Sequence, residues 1–471
     1  MASRDQPFIT ALGLWDVVGM NVVGVVGLRW IARGARVGAP SVTLWLLACV
    51  AFFLPLAAAV IHLSSRYPDQ GGLYAWARRT FGPFHGFICA WCLWVNNLFY
   101  FPSLLLFAAA NAVLVFGDRY QQMADSRWYS VAFVLIALWI CVALNVVGLT
   151  AGKWLQNAGS VATWIPAALL IGFGAVACAT FGSATSFAPA ALVPREDVWT
   201  TVSLWSAMCF AFSGFELSSF VGQEVRDPRR TIPRGVLIAG AVVVVIYVVG
   251  SASVLVAVPA SALQERSGIV DAINLVSARI GLGGMGALMG ALLALGSFAG
   301  TSSWFAGSGR VQFAAGEDRV LPASFGRLHP TFRTPHVALV VQGLVASAIF
   351  LTSVFLTISG SQTTVQEAYD IMVNLTILIY FVPYLYLFIA LVRLPTTDVA
   401  PDAVRLPGGR RGLWAVAAVG FAATAISLAL VFVPPAGTAN VLNYEANLVG
   451  QALIIMLVGL VLFWNAQRQS P

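Results

Sequence analysis

Lysine is almost absent: a single residue, Lys153, in a chain of 471. Charge of either sign is also scarce, at 10% of residues, against about 25% in soluble globular proteins. So few charges cannot solvate the surface of a soluble enzyme. The 59% hydrophobic content and the mean hydropathy of +0.84 instead indicate an all-α polytopic membrane protein. There are four histidines, and His62, His85, His329 and His336 fall at expected span ends or in a loop, where a structural part is expected of them. All six cysteines (Cys49, Cys89, Cys92, Cys141, Cys178 and Cys209) fall within expected spans, which argues against a disulfide framework and for small apolar packing residues. Cys89 and Cys92 form a CxxC with no second ligand pair nearby, so no metal site is expected there.

Motifs of soluble enzymes are missing too. GLGGMG (281–286) follows no strand and leads into an apolar run, and GLTAGKW (148–154) is one residue short of a phosphate loop and lacks the hydroxyl residue after Lys153. With no H-E-x-x-H, no G-x-S-x-G and no dense His/Cys cluster, neither an enzyme nor a cofactor is expected. The net charge of +7 is read as arginine that orients spans, and no nucleic-acid partner is expected.

A bilayer span needs about 20 apolar residues. Apolar runs bounded by charge, proline and glycine predict twelve transmembrane helices, at 8–32, 42–64, 84–116, 128–147, 153–180, 200–224, 235–258, 284–309, 336–357, 366–393, 412–433 and 446–465. The N-terminus runs into the first span without a cleavage site, so a retained helix is expected and not a signal peptide. With both termini in the cytoplasm, 18 of the 26 basic residues lie in inner segments and 8 outside. The cluster Arg29–Arg36, counted outside, runs against that rule. A multi-pass protein of the cytoplasmic membrane, in contact with the lipid bilayer, is expected.

Two spans carry signs of interruption. The first contains Gly19, Gly24 and Gly27 in VGMNVVGVVG, and the sixth contains Ser213-Gly214 just before Glu216. Such breaks in corresponding positions point to a transporter made of inverted repeats, because unwound backbone at membrane depth must line a cavity or be buried in protein. Close helix packing is the other reading of these glycines. Glu216, in AFSGFELSSF (211–220), is the only charge from Val198 to Gln223, where a carboxylate costs about 2.5–3.5 kcal/mol on insertion scales. Three roles are open to it: contact with a cationic substrate group, a site for a coupling proton, or a brace that caps freed amides. Bracing or gating is preferred.

Three segments carry further signal: RYPDQGGLYAWARRTFG (66–82), FAFSGFELSSFVGQEVRDPRRTIPRG (210–235) and SSWFAGSGRVQFAAGEDRVLP (302–322). Their residues Pro68, Gly71, Gly72, Tyr74, Gly214, Phe215, Glu216, Glu224 and Asp227-Pro228 resemble the signatures of the amino acid–polyamine–organocation transporter superfamily. Ser303-Trp304 with Gly307 and Arg310, the spacing from Glu216 to Glu224, and LTILIYFVPYLYLF (375–388) are most similar to the glutamate/γ-aminobutyrate-antiporter-like branch.

The resemblance implies a LeuT-like five-plus-five inverted repeat with broken spans 1 and 6, followed by spans 11 and 12. The transporter core would then cover 1–393, with repeats over about 8–180 and 200–393, and 394–471 would hold the last two spans. It implies a permease for amino acids or related amines, working by alternating access as exchanger or proton symporter. The alternatives are a polyamine- or organocation-specific transporter and a substrate-sensing receptor of the same fold. Three departures qualify it: Gly24-Val25-Val26-Gly27 replaces a Gly-Ser-Gly turn, Thr163 stands where some proton-coupled relatives carry lysine, and the chain stops soon after span 12, so plug-type gating is not expected.

Broken helices supply N–H groups for a substrate carboxylate and carbonyls for its ammonium. The carboxylate is expected near Gly24–Gly27 and the ammonium near Phe210–Ser213. The candidate substrate-binding residues are Gly19, Asn21, Gly24, Val25 and Gly27; Asn97 and Phe101; Phe210, Ser213, Gly214 and Glu216; Ser302 and Trp304; and Tyr380 and Tyr384. Asp16, in the inner half of span 1, joins Glu216 and Glu224 as a candidate for gating or proton coupling. Glu224 is expected at a solvated membrane exit, paired with a neighbouring arginine.

Overall fold

The computed structural model describes residues 10–194, 198–263, 268–282, 284–355, 365–394, 403–433 and 441–468. Residues 8, 9, 356 and 357, expected at span ends, lie outside this set, as do Arg4, Arg195 and Arg266 of the charge count. Helix dominates because a helix satisfies its own backbone hydrogen bonds where lipid offers none. The only pairing of β type among the described residues is an isolated bridge between Leu12 and Val225.

In chain order, α1 (Leu14–Val25) and α2 (Arg29–Ala35) are two apolar helices bent by 43° at a short break. Next, α3 (Pro40–Ala48) passes through a π-helical turn, Cys49–Phe53, into α4 (Leu54–Arg66). The short α5 (Leu73–Phe81) precedes three long helices, α6 (Pro83–Ala112), α7 (Arg127–Val147) and α8 (Leu149–Phe181). Then α9 (Val198–Ala211) and the single turn α10 (Leu217–Phe220) are separated by the irregular stretch Phe212–Glu216. The rest are α11 (Pro228–Ala257), α12 (Gly268–Arg279), α13 (Met285–Glu317), α14 (His336–Phe355), α15 (Val365–Arg393), α16 (Gly409–Leu430) and α17 (Val441–Arg468). Proline opens α3, α6 and α11, at the first turn, where its missing N–H is no loss.

Nine helical segments among the described residues are long and apolar enough to cross a membrane, or ten with the bent pair α1–α2 counted as one. The chain is therefore an all-helical, multi-pass membrane protein. Of the segments expected from hydropathy, 200–224 is not one helix but the interrupted α9–α10, and 446–465 lies within α17, whose described apolar stretch is Leu448–Trp464. Two of the arginines counted on the outer side are buried: Arg29, within the expected span 8–32, and Arg33, just past its end, sit in α2 with 1% and 9% of their surface exposed.

The first and third signature segments meet at one end of the bundle. Tyr74 on α5 donates to Asp318 at 2.7 Å, just past α13, and Arg78 lies 3.1 Å from the same carboxylate. Burial, followed by the bond to Asp318, holds the Tyr74 phenol well above its ordinary range, so it remains a donor. The Gly71-Gly72 turn packs on α10: the Gly71 N–H donates to the Phe220 carbonyl at 3.3 Å. A Cβ at Gly72, where φ is +46°, would stand 2.2 Å from Ser219 Oγ.

Close helix approach is densest around α13. At Gly159 on α8 an added Cβ would lie 2.1 Å from Ala299 Cβ on α13, whereas at Gly172 on the same helix it would meet nothing. We predict that Gly159→Ala lowers the thermal midpoint of the detergent-purified protein, in line with about 1–3 kcal/mol of overpacking. Gly172→Ala, the same change in open space, is expected to hold or raise it. Equal midpoints for the two variants would contradict the α8–α13 contact.

Candidate functional site

The two helix interruptions face each other in the middle of the bundle. At the first, Val26 leaves helical conformation while its N–H still reaches the Val22 carbonyl at 2.8 Å. At the second, Gly214 takes φ +107°, and a Cβ there would lie 2.8 Å from the Trp304 ring. Both the left-handed backbone and the close ring require glycine. One side chain ties the breaks together. The Tyr247 hydroxyl, from α11, accepts the Gly27 N–H at 3.0 Å and stands 2.8 Å from the Val25 carbonyl and 3.1 Å from that of Ala211. Its ring stacks on Trp45 with centroids 4.6 Å apart. On α13, the Trp304 indole N–H donates to the Gly24 carbonyl at 2.8 Å.

Glu216 is fully buried. The hydroxyls of Tyr380 and Tyr384, one turn apart on α15, both donate to its Oε1, the Tyr384 bond at 2.8 Å. Tyr384 also accepts the Gly214 N–H at 3.0 Å. A continuous chain thus runs from the freed backbone through a phenol to the carboxylate, and Glu216 Oε2 is left without a partner.

Between the breaks lies a small, tightly closed cavity, lined by Gly24, Val25, Trp30, Asn96, Tyr100, Phe210, Ser213, Trp304 and Tyr380. Four of its aromatics close a box: Phe210–Tyr380, Tyr380–Trp304, Trp304–Tyr100 and Tyr100–Phe210 have ring centroids 5.6, 5.9, 6.0 and 6.2 Å apart. A second small cavity shares Tyr100 with the first, and its lining includes Gly27, Arg29, Tyr100, Thr163 and Ser297.

Of the residues singled out from sequence, Gly24, Val25, Phe210, Ser213, Trp304 and Tyr380 line the first cavity, and Gly27 lines the second. Gly214, Glu216 and Tyr384 form the hydrogen-bonded group beside the first. Others lie apart. Gly19 is inside α1, its carbonyl 3.2 Å from Ser160 Oγ, and Asn21 donates to Ser218 Oγ at 3.4 Å. The Asn97 amide is turned onto the Leu93 carbonyl of its own helix at 2.7 Å, Phe101 stacks on Phe305 with centroids 4.0 Å apart, and Ser302 Oγ accepts from Asn145 at 3.0 Å. The helix is rotated by one residue from the expected register, so Asn96 and Tyr100, an i,i+4 pair, line the cavity in place of Asn97 and Phe101.

Asp16 accepts the Gly13 N–H at 2.9 Å in the first turn of α1, where a carboxylate complements the helix dipole. Glu224 is not solvated, as expected from sequence, but 4% exposed. Its partner is Arg310, distant in sequence, with bonds of 2.7 and 3.2 Å. Burial of both charges is tolerable because the pair is bidentate.

A profile for a family described as amino acid permease matches residues 12–463. The chain belongs to the amino acid permease family. This permease is 26% identical over 451 residues to an uncharacterized transporter of Legionella pneumophila, with 95% of each chain covered. It is 24% identical over 443 residues, 93% of this chain and 92% of the other, to a protein of Lactococcus lactis named as a probable agmatine/putrescine antiporter. It is also 24% identical over 402 residues to the glutamate/gamma-aminobutyrate antiporter of that organism, covering 84% of this chain and 78% of the relative. These are names of transporters, not of enzymes.

Sequence reading missed Tyr247. An isolated tyrosine in an apolar helix carries no motif, and only the fold brings its hydroxyl to both breaks. We predict that Tyr247→Phe, which keeps the stack on Trp45, destabilises the permease by about 1–3 kcal/mol, the cost of leaving a buried backbone group unsatisfied. Thermal unfolding in detergent measures it, and a midpoint equal to wild type would contradict the bridging role.

Proposed function

We propose that this permease is a secondary transporter that moves amino acids or related amines across the cytoplasmic membrane by alternating access, as exchanger or proton symporter. The observation that carries this reading is the pair of opposed helix breaks enclosing an aromatic box. An ammonium group is attracted to the faces of tryptophan, tyrosine and phenylalanine rings, and irregular backbone beside it supplies carbonyls. The twelve-span, five-plus-five arrangement with both termini in the cytoplasm fits the order of the breaks, the positions of the long helices and the arginine distribution, and belongs to the same proposal.

In this structure the breaks are bonded internally. The Phe210 carbonyl accepts from the Ser213 N–H at 2.9 Å and from its hydroxyl, and the Gly27 N–H is held by Tyr247. Substrate entry therefore exchanges internal hydrogen bonds for bonds to the ligand, and the two breaks, joined through Tyr247, rearrange together. Glu216 acts in that exchange as a brace: its bonds to Tyr380 and Tyr384 fix the ring that closes the box and the turn at Gly214. Handling of a coupling proton at the unpartnered Oε2 is the second role compatible with this geometry.

Counterflow in proteoliposomes loaded with single amino acids, γ-aminobutyrate, agmatine or putrescine tests the reading. Exchange with at least one amine is expected, and no flux or binding across a broad panel would overturn it. Glu216→Gln is expected to lower flux by about tenfold or more, the order of one hydrogen bond to a charged group, while the purified protein stays monodisperse. Wild-type flux with an unchanged pH profile would refute both the bracing and the proton role.

A further inference from the structure

Arg29 stands at the second cavity with 1% of its surface exposed. No other charged residue lines either cavity among the described residues. Its Nη1 reaches Ser103 Oγ at 3.4 Å, while Nε and Nη2 are buried without a hydrogen-bond partner. The guanidinium carbon lies 4.7, 5.2 and 5.8 Å from the ring centroids of Trp30, Tyr100 and Tyr369. Those rings stabilise the charge through their faces but leave the in-plane N–H donors unfilled. A buried cation in that state is expensive until an anion with two acceptor oxygens completes it, and a carboxylate matches the guanidinium fork.

The position is also suggestive. Tyr100 is shared by both cavities: its ring belongs to the aromatic box of the first, and Arg29 stands by it in the lining of the second. A ligand with an ammonium in the box and a carboxylate beyond Tyr100 would meet both. Of the backbone donors at the first break, the N–H groups of Val26 and Gly27 are engaged by Val22 and Tyr247. A diamine would instead bring a second cation towards Arg29, and like charges in a site of low dielectric repel.

We propose that the buried Arg29 guanidinium, with two unfilled donors beside an otherwise uncharged cavity, receives the substrate's carboxylate and makes this permease select carboxylate-bearing amines over diamines. The proposal rests on the transport reading above. It is tested on the purified full-length chain, wild type, Arg29→Gln and Arg29→Lys, in proteoliposomes. Unlabelled glutamate, γ-aminobutyrate, agmatine and putrescine compete against labelled glutamate and, separately, labelled putrescine.

In wild type the carboxylate-bearing amines are expected to compete better than the diamines. Arg29→Gln is expected to weaken the carboxylate-bearing ligands about 10- to 100-fold, the range for a hydrogen bond to a charged group, and to narrow or reverse the preference. Arg29→Lys, which keeps the charge and loses the fork, is expected to fall between; if the glutamine variant fails to fold, the lysine variant is read alone, and an undiminished preference in it overturns the proposal. Equal losses for all ligands in Arg29→Gln, or a wild-type preference for diamines, overturn it and leave the transport reading standing. Flux that depends on chloride while the preference ignores residue 29 overturns it in favour of an inorganic anion. If wild type moves none of the probes, the transport reading fails alone: thermal stabilisation by glutamate in detergent, lost in Arg29→Gln, still supports the carboxylate site, and its absence removes it.

Discussion

Breaking a helix inside a membrane frees N–H and C=O groups that lipid cannot satisfy. In this chain helices are interrupted after α1 and after α9, and the Tyr247 hydroxyl meets groups from both interruptions, 2.8–3.1 Å from Gly27, Val25 and Ala211. Trp304 caps Gly24 from α13, and Tyr384 takes the Gly214 N–H from α15. The irregular backbone is thus held from three surrounding helices. One hydroxyl is thus shared by backbone groups of both interruptions.

The carboxylate of Glu216 belongs to the same economy of partners. It does not face lipid: it is enclosed, with two phenol donors on one oxygen. Nearer the chain exit, Glu224 meets Arg310 in a buried pair, and the Glu224 backbone carbonyl accepts from Ala11 and Leu12 at 3.0 Å. The start of α1 is therefore fastened to the segment after α10, so the two interrupted elements are joined at that end as well as at their breaks.

Hydropathy made the helical, membrane-spanning character of the chain legible, because burial in lipid demands long apolar runs. The second break was legible in Ser213-Gly214, where left-handed backbone needs glycine. The first was legible only roughly: Gly19 and Gly24 remain helical, and the chain departs at Val26. Much of the candidate site was not readable at all. Asn96 and Tyr100 differ from Asn97 and Phe101 by one residue of register, which hydropathy cannot resolve in a helix buried on nearly every side. Arg29 fell near the outer end of the expected first span and was counted with an outer cluster, and the rings that shelter it come from α2, α6 and α15. Long-range pairs such as Glu224–Arg310 leave no mark in local spacing.

The π-helical turn at Cys49–Phe53 has a mechanical consequence. An extra residue in a turn resets the angular phase of a helix, and here the adjacent Phe52 and Phe53 are both buried against the second break or its neighbours. Phe52 meets Tyr384 and Phe381 at 5.7 and 5.8 Å, and Phe53 meets Phe212 and Phe215 at 5.3 and 4.9 Å. The surplus residue of that turn therefore sets the phase at which the helix presents Phe52 to α15 and Phe53 to the irregular stretch after α9.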